Sequence, residues 1–239
     1  VKLCVFAGFS TALAFTIIPL IQVNERGIFL AIGIAWIAIS ILTRQRAKAI
    51  IFIVMILLVM SFLPAFLEQQ GIISSYHAER LTIRNLVETG GTGRSEIWGV
   101  GLKIFTNNPI IGIGWGNFPV VYNRYASPVE IYNLVLSVGG KDAHSDLIGL
   151  AGELGLIGVI LFLILYGTVL LKDVKALNSI PSTSKIYMII VIALLVYIFS
   201  AGLTSTFLWR KIYWVILGLG ITSPVALSQS GQELNHENR

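Results

Sequence analysis

Cysteine and charge are what this chain has least of. A single cysteine, Cys4, stands in 239 residues and falls inside an apolar run. That excludes a disulfide framework and any cysteine-built metal site. Only 12% of the residues are charged, about half the share of an average soluble domain. With 55% hydrophobic residues and a mean hydropathy of +0.81, the chain reads as a membrane protein. The net charge of +5 is spread over loops, so it speaks for topology and not for nucleic-acid affinity. There is no low-complexity tract, heptad array or long repeat. Gly112, Gly114 and Gly116 do not make a dinucleotide fingerprint, because no strand precedes them.

What the chain does have is apolar runs near the roughly 20 residues that cross a bilayer core. Six occur: Leu3 to Ile21, Ile28 to Leu42, Ala49 to Leu67, Leu147 to Leu171, Ile186 to Leu208 and Ile212 to Leu227. The first lacks an initiator Met and a small-residue cleavage site and passes straight into the next, so it reads as a true span. A chain that opens on Val and enters a span at once reads as the C-terminal part of a longer protein. The expected fold is all-α, a polytopic transmembrane bundle of about six spans. Its parts are three spans in 1–67, an extracytoplasmic loop in 68–145, three spans in 146–227 and a polar cytoplasmic tail in 228–239.

Orientation follows from the basic loops, which tend to stay cytoplasmic. Arg44, Arg46 and Lys48 mark one such loop, and Lys172 to Lys185 marks another. Counting spans from them puts the 68–145 loop and the Leu208 to Lys211 turn outside. Arg210 and Lys211 break the rule mildly, and with Trp209, Tyr213 and Trp214 they fit an interfacial aromatic belt.

Within the long loop, Ile97, Val100, Ile104 and Phe105 recur at helical spacing. Arg94 to about Asn107 therefore reads as an amphipathic helix on the membrane surface, ended by Asn108-Pro109. A glycine-rich turn, "IIGIGWGNF", follows, and "YNRYASPVEIYN" reads as partly helical. The tail "SQSGQELNHENR" reads as disordered, and His236 in it needs no function.

Few residues could carry chemistry. Arg26 stands at the mouth of the second span, where it either snorkels to water or offers a planar fork of donors to phosphate. Arg94 opens the surface helix just after "GGTG", where close backbone approach and the helix N-terminus favour an anion. Arg80, Arg84, Lys103, Arg124 and Lys141 share the loop, mostly as solvated charges, with Arg124 and Lys141 as secondary candidates. His144 sits where the loop becomes the fourth span; it is either a helix-capping histidine or a base that can accept a proton near neutral pH. Asp142 and Asp146 lie nearby, but one His and two acids are not a zinc site, and no metal is expected. His77 lacks even that company. Glu153 is the one ionisable residue deep in a predicted span, about 13 Å from His144 along a continuous helix. It is expected to have a structural partner in the bundle interior, with a catalytic part as the second option, and Gly149, Gly152, Gly155 and Gly158 around it make a small-residue face on which another helix can pack closely.

Taken in order, "NERG", "GRSEIW", "NNPIIGIGWGNF" and "AHSDLIGLAGELGLIGVILFL" make a pattern. Over roughly Asn24 to Leu171 it resembles the O-antigen ligase and polymerase superfamily of bacterial envelope glycosyltransferases. The resemblance implies a GT-C-type enzyme of the bacterial inner membrane with its active site facing the periplasm or outside. Such an enzyme moves a glycan from an undecaprenyl-diphosphate carrier to an acceptor hydroxyl in lipopolysaccharide or surface polysaccharide biosynthesis. It implies no nucleotide sugar, no ATP, no metal and no cofactor. The implied partners are the carrier-linked glycan, a glycan or lipid acceptor and membrane lipids. Carried over by motif, Arg26 and Arg94 hold the diphosphate and His144 lies close to the acceptor. Relatives often have Asn where this chain has Ser145, and Ser where it has Glu25. Two other readings compete: a solute transporter of the same superfamily, and an inactive structural subunit. A transporter would show inverted repeats and broken helices with polar sites at the midplane, and the sequence offers one acid and no repeat.

Overall fold

The computed structural model describes residues 26–44, 62, 65–71, 74, 94–131, 142–182 and 184–237, with the backbone alone for Arg26, Phe29 and 229–237. The expected span over Leu3 to Ile21, most of the one over Ala49 to Leu67, and Glu25, His77, Arg80, Arg84 and Lys141 lie outside the described residues. Among the described residues every regular element is a helix. In chain order the principal ones are α1 (Arg26–Leu42), α2 (Arg94–Asn107), α3 (Phe118–Tyr125), α4 (Asp146–Ala176), α5 (Lys185–Gly202) and α6 (Lys211–Glu237).

α4, α5 and Lys211–Ser228 of α6 are long and apolar enough to cross a membrane. The shorter α1 is apolar around its whole circumference, the composition of a helix with no face turned to water. The chain is therefore an integral membrane protein built as a helical bundle. α5 lies among α1, α4 and α6 and packs against all three. Small residues let α1 come close: Ala31 and Ala35, one turn apart, are both buried, and so is Ser40. Between α4, α5 and α6 the core is Tyr166, Val169, Leu195, Ile198, Tyr213, Ile216 and Leu217. The Tyr166 hydroxyl donates to the Leu195 carbonyl, which gives a buried polar tip a partner. At the far end Ile180, Met188 and Ile192 close the bundle against Leu42, Ala176 and Leu227.

Two ends differ from the sequence expectation. The fifth apolar run continues to Leu208, but α5 stops at Gly202 and residues 203–210 form turns. The amides of Phe207 and Leu208 donate to Asp146 Oδ1 at 2.9 and 3.0 Å, so a side chain on α4 takes the donors that a further helical turn would have used. α6 runs on to Glu237 through the stretch read as disordered. Extending an existing helix adds one hydrogen bond per residue fixed, and "QELNHE" contains nothing that stops it. Pro224 inside α6 removes the amide that would pair with residue 220, and Lys172 Nζ donates to the neighbouring Ile221 carbonyl at 3.2 Å.

Candidate active site

The fourth span is not one helix. At Gly155 the backbone turns to φ 64°, ψ −162°, a conformation open to glycine and almost closed to other residues. A break of this kind inside a membrane segment strands amides on one side and carbonyls on the other, with no water to satisfy them. The glycine-rich turn after α2 fills the gap. Leu156 N donates to Pro109 O at 2.8 Å and Ile157 N to Ile110 O at 3.2 Å. In return Ile113 N donates to Gly152 O at 3.1 Å and Gly114 N to Glu153 O at 2.8 Å. Contact is backbone to backbone: a Cβ on Gly112 would strike the Glu153 backbone, and one on Gly155 would strike that of Ile110. The glycines of "IIGIGWG" and "GELGLIG" are thus two halves of one joint.

α2 runs alongside the first half of α4. A Cβ on Gly101 would meet Ile148, and one on Gly152 would meet Ile104, so both helices advance in the same direction. The apolar stripe expected on α2 is there, and Ile97, Val100 and Ile104 are buried against Phe118, Tyr122 and Ala143. The surface helix thus turns its stripe to protein. Continued back one turn, this register brings Ile97 level with the 143–145 turn, where it clusters with Ala143, and Arg94 begins α2 one turn further on.

Between the re-entrant turn, the start of α4 and the turn after α5 lies a cavity of about 390 Å³. Its wall includes Trp115, Phe118, Asp142, Ser145, Asp146, Glu153, Thr206, Trp209 and Arg210. The size lies within the range of small-molecule sites. Glu153 is 4% exposed, and its Oε1 accepts from Phe118 N at 3.0 Å. Phe118 is the first residue of α3, whose N-cap Asn117 makes no side-chain cap. Glu153 supplies that cap from another helix, where a carboxylate meets the positive end of the peptide dipoles. Its structural partner is therefore the start of α3, and the glycine face beside it lets α2 and Phe118 pack closely on Gly152.

His144 takes the left-handed backbone, φ 48°, and is half-buried between Ala143 and Ser145, both of which line the cavity. Ser145 is the N-cap of α4, its hydroxyl accepting from Ile148 N. Serine is among the residues best suited to that position. Arg94 is half-buried at the start of α2. Arg26 opens α1, and at the next residue a Cβ on Gly27 would collide with Thr204, just before the turn that lines the cavity. Arg26 and Arg94 thus begin their helices, and His144 precedes the cap of α4, at the end of the bundle that carries the cavity. Arg124 is exposed in the last turn of α3, remote from the lining residues Phe118 and Pro119 at its start. Lys103 is held by Glu130 at 2.8 Å. That bond, with the Ser127 amide next, pulls the Glu130 carboxyl down to about 2. Burial pushes the Tyr122 phenol up, with Glu130 and Glu96 adding to it.

Sequence reasoning passed over four groups at this cavity. Asp146 is the clamp on the 207–208 amides; its signal was an acid in the first turn of a span. Trp115 and Trp209 lie with ring centroids 4.5 Å apart although 94 residues separate them in the chain. Arg210 packs its guanidinium over Phe207, 5.9 Å from the ring centre, and its signal was the breach of the basic-loop rule. Among the described residues no group of three or more His, Cys, Asp or Glu could hold a metal ion.

Compared with known families, residues 11–163 match the sequence profile of the O-antigen ligase family. The match covers well over half of the chain, and all of the joint between "NNPIIGIGWG" and "GELGLIG" lies inside it. No curated protein matches the chain.

Proposed function

The chain belongs to the O-antigen ligase family, and from that premise we propose that it transfers a glycan from an undecaprenyl-diphosphate carrier to an acceptor hydroxyl at the periplasmic face of the inner membrane. Arg26 and Arg94 hold the diphosphate. The acceptor oxygen attacks the anomeric carbon and the bond from that carbon to the phosphate oxygen breaks. The proton of the acceptor hydroxyl passes to the His144 imidazole. Negative charge gathers on the leaving diphosphate, where fixed guanidinium groups stabilise it without reorganising. The observation that supports this reading is that Ala143 and Ser145, the neighbours of His144, line a cavity at the end of the bundle where α1 and α2 begin.

One feature favours the second reading. The interrupted α4 is the kind of broken helix that builds midplane sites in transporters. Here, though, its amides and carbonyls at the break bond to the chain's own turn and are not left to face a solute. The test is the surface-glycan profile of deletion cells carrying the wild-type gene, Arg94→Ala or His144→Ala at matched protein levels. Transfer falls by about 10²-fold or more in each variant if the assigned groups act in the reaction. Wild-type glycans in both variants overturn the assignment and leave the transporter reading ahead.

A further inference from the structure

The cavity beside His144 is poorly made for the diphosphate. Three carboxyl groups, Asp142, Asp146 and Glu153, share its wall with one guanidinium, that of Arg210. An anion brought there meets like charge, whereas a neutral hydroxylated ring meets acceptors for its O–H groups. At the rim, Trp115 is 44% and Trp209 54% exposed, and their rings lie 4.5 Å apart at 32°. Tryptophans of an interfacial belt need not touch each other or line a polar hollow. These two do both, while Trp214 uses its indole N–H on the Leu208 carbonyl at 2.9 Å.

We propose that this cavity is the binding site for the terminal pyranose ring of the acceptor glycan. The proposal rests on the transfer reading and adds the acceptor's place to it. The electron-rich faces of Trp115 and Trp209 meet the slightly positive C–H face of the sugar. Ring hydroxyls donate to Asp142 and Glu153, and Arg210 donates to a ring or hydroxyl oxygen. Ala143 and Ser145 belong to the wall, so the bound ring lies against the segment that carries His144, the group assigned to take the proton. The wall also divides the site by charge: carrier diphosphate to Arg26 and Arg94, neutral acceptor sugar to the carboxylates and indoles. Trp209 and Arg210 lie beyond the residues that match the family profile, so this part of the wall belongs to a separate stretch of sequence.

The experiment is a titration of the purified full-length protein in detergent with a panel of methyl glycosides of hexoses, N-acetylhexosamines and heptoses, read by tryptophan fluorescence. At least one glycoside gives a saturable response. Its affinity falls by about three- to tenfold in Trp115→Ala and in Trp209→Ala, and Phe at either position restores most of it. Both indoles are exposed, so their removal spares the fold. Arg94→Ala leaves the sugar titration unchanged. No saturable response from any glycoside, or one that persists unaltered in the double Trp→Ala variant, overturns the proposal. Loss of glycan transfer in Arg94→Ala without sugar binding by the wild type would keep the transfer reading and reject the subsite. Normal transfer in Arg94→Ala, with tryptophan-dependent sugar binding, would do the reverse.

Discussion

An alanine at Gly155 meets two obstacles at once: a backbone with φ 64° and the Ile110 carbonyl where its methyl group would go. Each such strain costs about 1–3 kcal/mol, so Gly155→Ala lowers the thermal unfolding temperature in detergent. Gly167→Ala, with nothing within 4 Å of the new Cβ, does not. Two residues earlier, Glu153 separates shape from charge. Glu153→Gln still accepts from Phe118 N and keeps the wild-type unfolding temperature. Glu153→Ala leaves that buried amide without a partner, a loss of about 1–3 kcal/mol. At this scale the sequence was readable where a residue's role depends on its neighbours in the chain. Arg94 heads a helix, as read, while the cap of α4, read as an option for His144, falls to its neighbour Ser145. It was not readable where the role depends on a distant segment, as with Asp146 holding the 207–208 turn or Trp115 meeting Trp209.

The helix Arg94–Asn107 was legible to the residue, because an apolar stripe and an Asn-Pro stop are both local signals. The break in α4 was not. Glycines at 149, 152, 155 and 158 look like a close-packing face whether or not one of them leaves the helix, and only the docked turn decides which does. Likewise the end of α5 at Gly202 depends on a carboxylate 56 positions earlier in the chain. The contact between α2 and the segment that follows α3 carries a pH dependence of its own. Glu130 sits near 2 when folded, mainly through its bond to Lys103, against an ordinary 4.5. A depressed carboxyl contributes its stability above the unfolded value and loses it as pH falls through the folded one. The Lys103–Glu130 contact therefore helps fully above about pH 5 and fades between about pH 4.5 and 2. The unfolding temperature of the wild type exceeds that of Glu130→Gln at pH 6, and the difference shrinks steadily from about pH 4.5 toward pH 2. A constant difference across that range would contradict the assignment.

For the whole molecule, composition was enough to announce a membrane bundle, because apolar runs of about 20 residues have few alternatives. The order of four short motifs was enough to announce the family that residues 11–163 match. Less legible was how the loop and the bundle join. The re-entrant turn crosses into α4, α2 lies along it, and the turn after α5 closes over Asp146, so the site is shared by three segments separated in the chain by two spans. The account comes down to a division of labour at that end of the bundle, arginines for the carrier's diphosphate and His144 for the acceptor's proton. The most direct test is the initial rate of glycan transfer from undecaprenyl-diphosphate to a glycan acceptor by the full-length protein in proteoliposomes, for the wild type and His144→Ala. The account predicts a loss of about 10²- to 10⁴-fold in His144→Ala with carrier binding retained. A His144→Ala protein that transfers at the wild-type rate would contradict it.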